Sequence, residues 1–372
     1  MFIRLVQMII APLVFSTLVV GIAKMGDMKM VGRVGAKAMA WFITASLVSL
    51  SVGLVLVNWL KPGKGTSIKM ENLSSADDLI KNTGSFSLEN FVVHIVPKSI
   101  FEAMATNEIL QIVIFAILFG IALSSMGRIG NPIIKSLDII SHVILKMVTY
   151  IMWVAPLGVF GAVAAAVANY GFEIFSLYAK YLLDFAIGIL VLWVLLLLVG
   201  YFILGNRLWT LLKRIKSPLL IAFSTTSSEA VFPKLVEELE RFGCKSKIVS
   251  FTLPLGYSFN LDGSMMYMTF ASIFIAQVYG VDMSLGEQLT MLLVLMLTSK
   301  GVAGVPRASL IVVVATCAMF GIPPEGIALI LPIDHFCDMA RSMTNVLGNA
   351  LATTAVDKWE ADEETITPEI TH

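Results

Sequence analysis

The polar residues near the C-terminus of this chain have the types and the spacing of a charged binding site. They occur in the segment DHFCDMARSMTNVLGN, residues 334–349. Helical spacing places five of them on one face: Asp334, Asp338, Arg341, Asn345 and Gly348. Because a charge at the centre of a bilayer costs about 2.5–3.5 kcal/mol, such a face in an apolar chain must contact protein, water or a ligand.

The charged groups of this stripe match the two ends of an acidic amino acid. Arg341 presents a fork of donors that suits a carboxylate, and Asp338 is an acceptor that suits an ammonium group. Asn345 offers both a donor and an acceptor to an α-carboxylate. The alternative is that Asp338 and Arg341, three residues apart on a helix, pair only with each other.

The composition predicts an all-α polytopic membrane protein. The chain has 372 residues, of which 57% are hydrophobic and 14% charged, and its mean hydropathy is +0.86. Apolar runs of about bilayer-spanning length occur near 5–23, 38–60, 109–126, 143–168, 181–204, 248–279 and 326–356. The three cysteines show no CxxC spacing, so we expect neither a disulfide framework nor a metal centre. Lipid is the expected partner of such a chain, and no nucleic acid is expected.

The basic residues predict which loops face the cytoplasm. They cluster in 24–37, 128–135 and 207–216, and the number of crossings between these clusters places all three on one side. The segment 61–108, rich in Ser, Asn and Gly, is then an external loop. The acidic end of the chain, residues 358–372, is predicted to be a solvated cytoplasmic tail.

Polar interruptions concentrate in the second part of the chain. They are FSTTSSEA (223–230), GYSFNLDGS (256–264) and TSKGVAGVPRAS (298–309). They predict a re-entrant hairpin over 217–245, a broken helix over 248–279, a second hairpin over 289–320 and a polar helix over 326–356. Paired interruptions of this kind indicate an inverted repeat with the substrate between its halves. We therefore divide the chain into a scaffold half, 1–205, and a transport half, 206–357.

Each interruption suggests a role that has a plainer alternative. The hydroxyl-rich first tip would attract an anion at helix N-termini, or would be an ordinary helix–helix contact. NLDGS breaks its run at Asp262–Gly263, where a carboxylate and unwound carbonyls would bind a hard cation, or simply cap a helix. The glycines of SKGVAGVP allow close backbone approach and movement, as a gate requires.

Taken together, STTSSEA, NLDGS, SKGVAGVP and DMARSMTNVLGN resemble the dicarboxylate/amino acid:cation symporter family, the glutamate and aspartate transporters. The resemblance extends to RLVQMIIAPLVFSTLVVGIA at the start. It implies a homotrimer in the bacterial inner membrane with an elevator-like transport domain. It implies L-glutamate and L-aspartate as substrates, H⁺ and/or Na⁺ as coupling ion, and no other cofactor. Members have a further spanning helix before RLVQM, which this sequence does not include.

The resemblance also assigns site residues. Those implied for the substrate are Arg341, Asp338, Asn345, Ser342, Ser264, Ser227, Ser228, Val305 and Gly304. Those implied for cation coupling are Asn260, Asp262, Gly256, Ser258, Asn349, Ser299 and Glu229, with Asn260 and Asp262 as the candidate sodium ligands. C4-dicarboxylate members lack the aspartate that matches Asp338, and neutral amino acid members lack the arginine that matches Arg341, so an acidic amino acid is favoured.

Departures from the family pattern favour proton coupling. Sodium-coupled members have an aspartate at the position of Asn349, a Tyr and a Thr at Phe42 and Ala45, and a methionine at Leu261. The proton carriers would then be Glu229 or Asp338. Lys300 would replace a missing cation, or simply extend to the membrane surface, and Arg307 would supply a charge that other members carry elsewhere. Sodium coupling and a C4-dicarboxylate substrate remain the alternatives.

Two other classes fit the sequence poorly. An intramembrane hydrolase would need Ser228, His335 and Asp334 as a triad, but Asp334 and His335 are adjacent and would point about 100° apart on a helix. A passive anion channel needs weak, repeated sites, whereas Asp338 and Arg341 form one pair matched to a zwitterion.

Overall fold

The structure is a computed structural model that describes residues 28–64, 96–106, 108–153, 173–299, 308–323 and 333–366, with isolated positions between 8 and 23 and at 326, 327 and 330. Within these ranges the regular structure is helical. The α-helices are α1 (Met28–Leu60), α2 (Ile100–Ala105), α3 (Ile109–Ser125), α4 (Asn131–Met152), α5 (Glu173–Leu204), α6 (Arg207–Thr225), α7 (Phe232–Phe242), α8 (Ser246–Phe259), α9 (Asp262–Val278), α10 (Leu285–Thr298), α11 (Ala308–Met319) and α12 (Asp334–Ile366).

Helices α1 and α5 lie side by side in opposite directions. At one end, Lys180 Nζ near the start of α5 donates to the carbonyl of Lys61, directly after α1. Among the described residues, the stretches Val31–Leu60 and Ala179–Leu204 are long and apolar enough to cross a membrane. Both stretches were predicted from their apolar runs.

The run 248–279 is interrupted, as predicted, but the break lies slightly earlier than predicted. Asn260 and Leu261 are non-helical, and α9 begins at Asp262. The predicted break at Asp262–Gly263 is therefore wrong by two residues, because a carboxylate is favourable in the first turn of a helix. The predicted start of the first hairpin at 217 also falls inside α6, which continues through Pro218.

The polar helix α12 is displaced relative to its prediction over 326–356. It begins at Asp334 and continues to Ile366, into the segment predicted to be a solvated tail. Within this extension Glu360 is not solvated, because its side chain is fully buried and pairs with Arg33 and Lys37 of α1, each at 2.8 Å.

Helices α1 and α5 hold α9 between them. Gly53 allows α1 to approach α9 closely, since a Cβ at this position would lie 2.8 Å from the carbonyl oxygen of Met266. On α5, Phe185 packs edge-on against Tyr267, with the ring centroids 5.8 Å apart. Although both helices precede residue 205, they contact the helices of the predicted transport half. The division at residue 205 remains a prediction.

Residues 357–360 form an inner clasp that joins four helices. Asp357 accepts a hydrogen bond from the backbone N–H of Lys245, next to α8, at 2.9 Å. Lys358 donates to a carbonyl near the end of α5. The rings of Trp359 and Trp41 of α1 lie 5.9 Å apart, and Glu360 binds α1 through its ion pairs.

Replacing Glu360 by glutamine is expected to lower the thermal midpoint of the detergent-solubilised protein. Removing one partner of a fully buried ion pair costs roughly 3–5 kcal/mol, and we expect less here because the Arg33 side chain is 43% exposed. Differential scanning fluorimetry would measure the shift, with Glu240→Gln as the control at an exposed glutamate. An equal midpoint for both variants would contradict a stabilising clasp.

The effect of Glu360→Gln should depend on pH. Burial raises the pKa of Glu360, whereas hydrogen bonds from Arg33 and Lys37 lower it. The lowering is the larger of the two effects, so the folded pKa lies below the ordinary value. The ion pair therefore stabilises the fold above the unfolded pKa of about 4.3. This contribution is lost as the pH falls through the folded pKa, so wild type and variant should converge in acid.

Candidate functional site

Two glycines let the helices of the site meet at backbone distance. At Gly263, in the first turn of α9, a Cβ would lie 2.3 Å from the carbonyl oxygen of Arg341 on α12. At Gly348 of α12, a Cβ would lie 1.8 Å from Oδ2 of Asp262. The start of α9 therefore sits directly on α12, and the two polar segments face each other.

A methyl group at Gly348 should disrupt this contact. Gly348→Ala is expected to displace Asp262 and to lower stability by about 1–3 kcal/mol, as overpacking of a tight interior does. Gly286→Ala is the matched control, because a Cβ there meets nothing within 4 Å. Thermal midpoints of the two variants would check the prediction, and equal midpoints would show that Asp262 can move without cost.

The predicted substrate residues of α9 and α12 come together in one buried cage. Arg341 is fully buried, and it donates from Nε to Asp338 at 2.6 Å and from Nη1 to the hydroxyl of Ser264 at 2.9 Å. Asn345 donates to the same hydroxyl at 3.1 Å and accepts from the backbone N–H of Ser264 at 3.2 Å. The cage thus combines one cation, one anion and an amide.

The pairing of Asp338 with Arg341, which the sequence left as an alternative, is present in the structure. It accounts for the burial of both charges, since an unpaired buried charge costs several kcal/mol. It does not exclude a binding role. A ligand that carries both a carboxylate and an ammonium could bind Arg341 with the first and Asp338 with the second. Both buried charges would then remain compensated.

The predicted cation-coupling residues form a second cluster next to the cage. The Asn260 amide donates to Asp262 Oδ2 at 3.1 Å and to Asn349 Oδ1 at 3.4 Å. Gly256 leaves room for Asn349, because a Cβ there would lie 2.2 Å from Asn349 Oδ1. Phe42 closes the cluster from α1, 3.7 Å from that same Cβ position, and it offers no oxygen ligand.

The oxygens of this cluster suit a hard monovalent cation better than a transition metal. In the described part of the chain, Asn260 Oδ1 and Ser258 Oγ are buried without a hydrogen-bond partner. Asn260 and Asp262 lie in contact, and their oxygens are of the kind that hard cations prefer. No group of three or more His, Cys, Asp or Glu that could hold a metal occurs within the described ranges.

Four further predicted residues lie in the two segments that the sequence predicts to be hairpin tips. Ser227, Ser228 and Glu229 are buried between α6 and α7, and Ser227 Oγ accepts from the N–H of Ala230 at 3.3 Å. Thr226 before them has a left-handed backbone with φ 54°, which turns the chain out of α6. On the second tip, Ser299 donates to the Met296 carbonyl at 3.0 Å.

The predicted residues also include Ser342 and a group in the second predicted tip. Ser342 is buried beside the cage, and its hydroxyl has no hydrogen-bond partner among the described residues. The second-tip residues Lys300, Gly304, Val305 and Arg307 lie outside the described residues.

Three residues that the sequence did not single out support the site. Ser49 of α1 donates to Asp262 Oδ1 at 3.2 Å. Tyr267 of α9 donates to Asp334 at 2.5 Å. Trp193 of α5 donates to the hydroxyl of Thr344 at 2.8 Å. Their common feature is a polar side chain within a largely apolar helix, which many structural residues share.

Comparison with known proteins decides which class this arrangement belongs to. The profile of the sodium:dicarboxylate symporter family matches residues 1–359. The chain belongs to this family. Its members are symporters, so the chain is a membrane transporter and not an enzyme, which excludes the hydrolase alternative. The family resemblance drawn from the motifs is thereby confirmed.

The relatives within the sodium:dicarboxylate symporter family carry two kinds of name. A "C4-dicarboxylate transport protein" of Laribacter hongkongensis is 45% identical over 96% of this chain and 82% of that protein. A "Proton/sodium-glutamate symport protein" of Bacillus caldotenax is 39% identical over 96% of this chain and 86% of its own length. A "Proton/glutamate-aspartate symporter" of Escherichia coli is 40% identical over 96% of this chain and 84% of that protein.

Proposed function

We propose that the protein is a secondary active symporter that imports L-aspartate and L-glutamate together with protons. It would act as a multi-pass homotrimer in a bacterial inner membrane, with elevator-like alternating access. The observation that carries the substrate is the buried pair of Asp338 and Arg341, 2.6 Å apart and joined to Ser264 and Asn345. Relatives named as glutamate–aspartate symporters support the same substrate class.

Substrate binding is an exchange of ionic partners. A side-chain carboxylate takes the place of Asp338 at the Arg341 guanidinium, and the substrate ammonium takes the place of Arg341 at Asp338. The amide of Asn345 and the hydroxyl of Ser264 then bind the α-carboxylate. A dicarboxylate without an amine would leave the buried Asp338 charge uncompensated, which costs several kcal/mol unless the carboxyl is protonated.

Proton coupling is supported by the make-up of the second cluster. It holds one carboxylate, Asp262, and Asn349 provides a neutral amide beside it. On α1, Phe42 and Ala45 add no oxygen ligand. With a weak cation site, the driving force would come from protonation of a titratable group. The candidates are Asp338 in the cage and Glu229, which is buried between α6 and α7.

The moving part of the elevator would include α1 and α5. Ser49 ties α1 to Asp262, and Trp193 ties α5 to Thr344. The inner clasp joins the same helices at their other end. Movement of the site helices alone would break all of these contacts, whereas movement of the whole group preserves them.

Sodium-coupled uptake and C4-dicarboxylate transport are the competing functions. The first is supported by the buried oxygens around Asn260 and Asp262. The second is supported by the names of relatives that are 45% and 42% identical. The C4-dicarboxylate alternative does not explain why an anionic side chain is buried against Arg341, whereas sodium-coupled uptake of aspartate or glutamate would use the same cage.

Uptake into proteoliposomes distinguishes these functions. Labelled aspartate, glutamate and succinate are each supplied under an imposed proton gradient and, separately, under an imposed sodium gradient. We expect aspartate and glutamate uptake with acid outside and no sodium. A requirement for sodium would overturn the coupling proposal, and succinate uptake above that of aspartate would overturn the substrate proposal.

A further inference from the structure

A cavity lies between α1 and α5, and its lining includes Ser49, which donates a hydrogen bond to Asp262. Its volume is about 250 Å³. Its lining includes Trp41, Ala45 and Ser49 of α1, Leu192 and Leu196 of α5, and Trp359 of the inner clasp. The proposed transport cycle makes no use of this space.

The cavity is suited to an apolar group and not to water. The hydroxyls that line it are engaged, since Thr44 donates to the Ala40 carbonyl at 2.8 Å and Ser49 donates to Asp262 at 3.2 Å. A buried water needs two to four polar partners, and an apolar cavity of about 150 Å³ stays dry and binds benzene. The larger space here therefore accepts an aliphatic chain.

The mouth of the cavity opens where the bilayer would be. Val48, Leu195 and Val199 line it and are 42%, 37% and 45% exposed. They belong to the stretches Val31–Leu60 and Ala179–Leu204, the two that are long and apolar enough to span a membrane. Acyl chains are the surrounding solvent at this depth, so an occupant can enter from the side.

The inner end of the cavity has the features of a membrane interface. Trp41 and Trp359 close it with rings 5.9 Å apart, and tryptophan is enriched at that level of the bilayer. Beyond them, Arg33 and Lys37 bind the carboxylate of Glu360, so charged side chains begin directly past the tryptophan rings. The apolar cavity thus ends where a lipid headgroup region would begin.

We propose that this cavity binds one acyl chain of a phospholipid from the cytoplasmic leaflet. The chain would contact Ser49 and Leu192, on the segments of α1 and α5 that are tied to Asp262 and Thr344. A bound lipid therefore stabilises the attachment of both helices to the substrate site. This site is independent of which substrate or coupling ion the protein uses.

Photolabelling tests the proposal directly. The full chain is reconstituted in phosphatidylcholine vesicles that contain phosphatidylglycerol with a diazirine in the middle of one acyl chain. Adducts are assigned to single residues by fragmentation mass spectrometry. We expect labelling of Leu196, which is 7% exposed, in addition to Leu190, which is 64% exposed and reports ordinary lipid contact.

Matched variants separate cavity binding from surface contact. Ala45→Leu fills the cavity and should reduce labelling of Leu196 to background, with Leu190 unchanged. Ala36→Leu makes the same change on an exposed face of α1 that does not line the cavity, and should alter neither. If Ala45→Leu does not fold, Val199→Phe at the exposed mouth replaces it.

Two results would overturn the proposal. The first is a wild-type protein labelled at Leu190 and not at Leu196, which would mean that another part of the chain or a second copy occupies the cavity. The second is labelling of Leu196 that persists in the cavity-filling variant.

Discussion

Arg341→Cys is expected to abolish uptake of aspartate and glutamate and to permit uptake of small neutral amino acids. The guanidinium is the only cation in the described cage, and it is fully buried with bonds to Asp338 and Ser264. Removing one partner of a buried, hydrogen-bonded charge pair costs about 2–5 kcal/mol, which corresponds to more than tenfold in affinity. The vacated volume leaves room for a neutral side chain.

The measurement is uptake of labelled aspartate, glutamate, serine and alanine into proteoliposomes at equal protein content. Arg241→Cys is the control, since Arg241 is 57% exposed on α7. Arg341→Lys retains the charge without the fork, and it should bind aspartate weakly, which shows that a folded site remains. Glutamate uptake by Arg341→Cys at the wild-type rate would overturn the assignment of the substrate cage.

The substrate cage could be predicted from the sequence because its main residues lie on one helix. The period of 3.6 residues aligns Asp338, Arg341 and Asn345 whatever the rest of the fold does. Burial cost then requires that this face be covered. The partner Ser264 comes from another helix, and the family motif, not the period, assigned it.

The supports of the site could not be predicted in the same way. Ser49 is one of several serines in the apolar run of α1, and only the contact with α9 distinguishes it. Glu360 lies in an acidic segment that normally indicates a solvated tail, but its partner Arg33 is 327 residues away in the chain. Contacts over such distances depend on tertiary packing that no local pattern contains.

The predicted boundaries of two elements were wrong for a related reason. The apolar run near 326–356 suggested a helix from 326, yet α12 begins at Asp334. The break in 248–279 was centred on Gly263, but the structure uses that glycine for contact with the Arg341 backbone. A glycine in a helix interior signals either flexibility or close packing, and the sequence alone does not separate the two.

Asp338→Ser is expected to reverse the preference between aspartate and succinate. Aspartate loses the acceptor for its ammonium group, and a hydrogen bond to a charged partner contributes about 1.5–3 kcal/mol. Succinate gains, because Arg341 no longer shares its guanidinium with an internal carboxylate at 2.6 Å. We therefore expect aspartate affinity to fall about tenfold or more, and succinate to become a transported substrate.

Competition assays would measure this reversal, with unlabelled succinate and aspartate displacing labelled aspartate or succinate. Asp282→Ser, at an exposed aspartate outside the cage, is the matched control and should keep the wild-type preference. Asp338→Asn keeps the shape and one acceptor but removes the charge. Its preference for aspartate over succinate should therefore lie between those of the wild type and Asp338→Ser. If Asp338→Ser still prefers aspartate as strongly as wild type does, Asp338 serves only to neutralise Arg341, and the amine must be bound elsewhere.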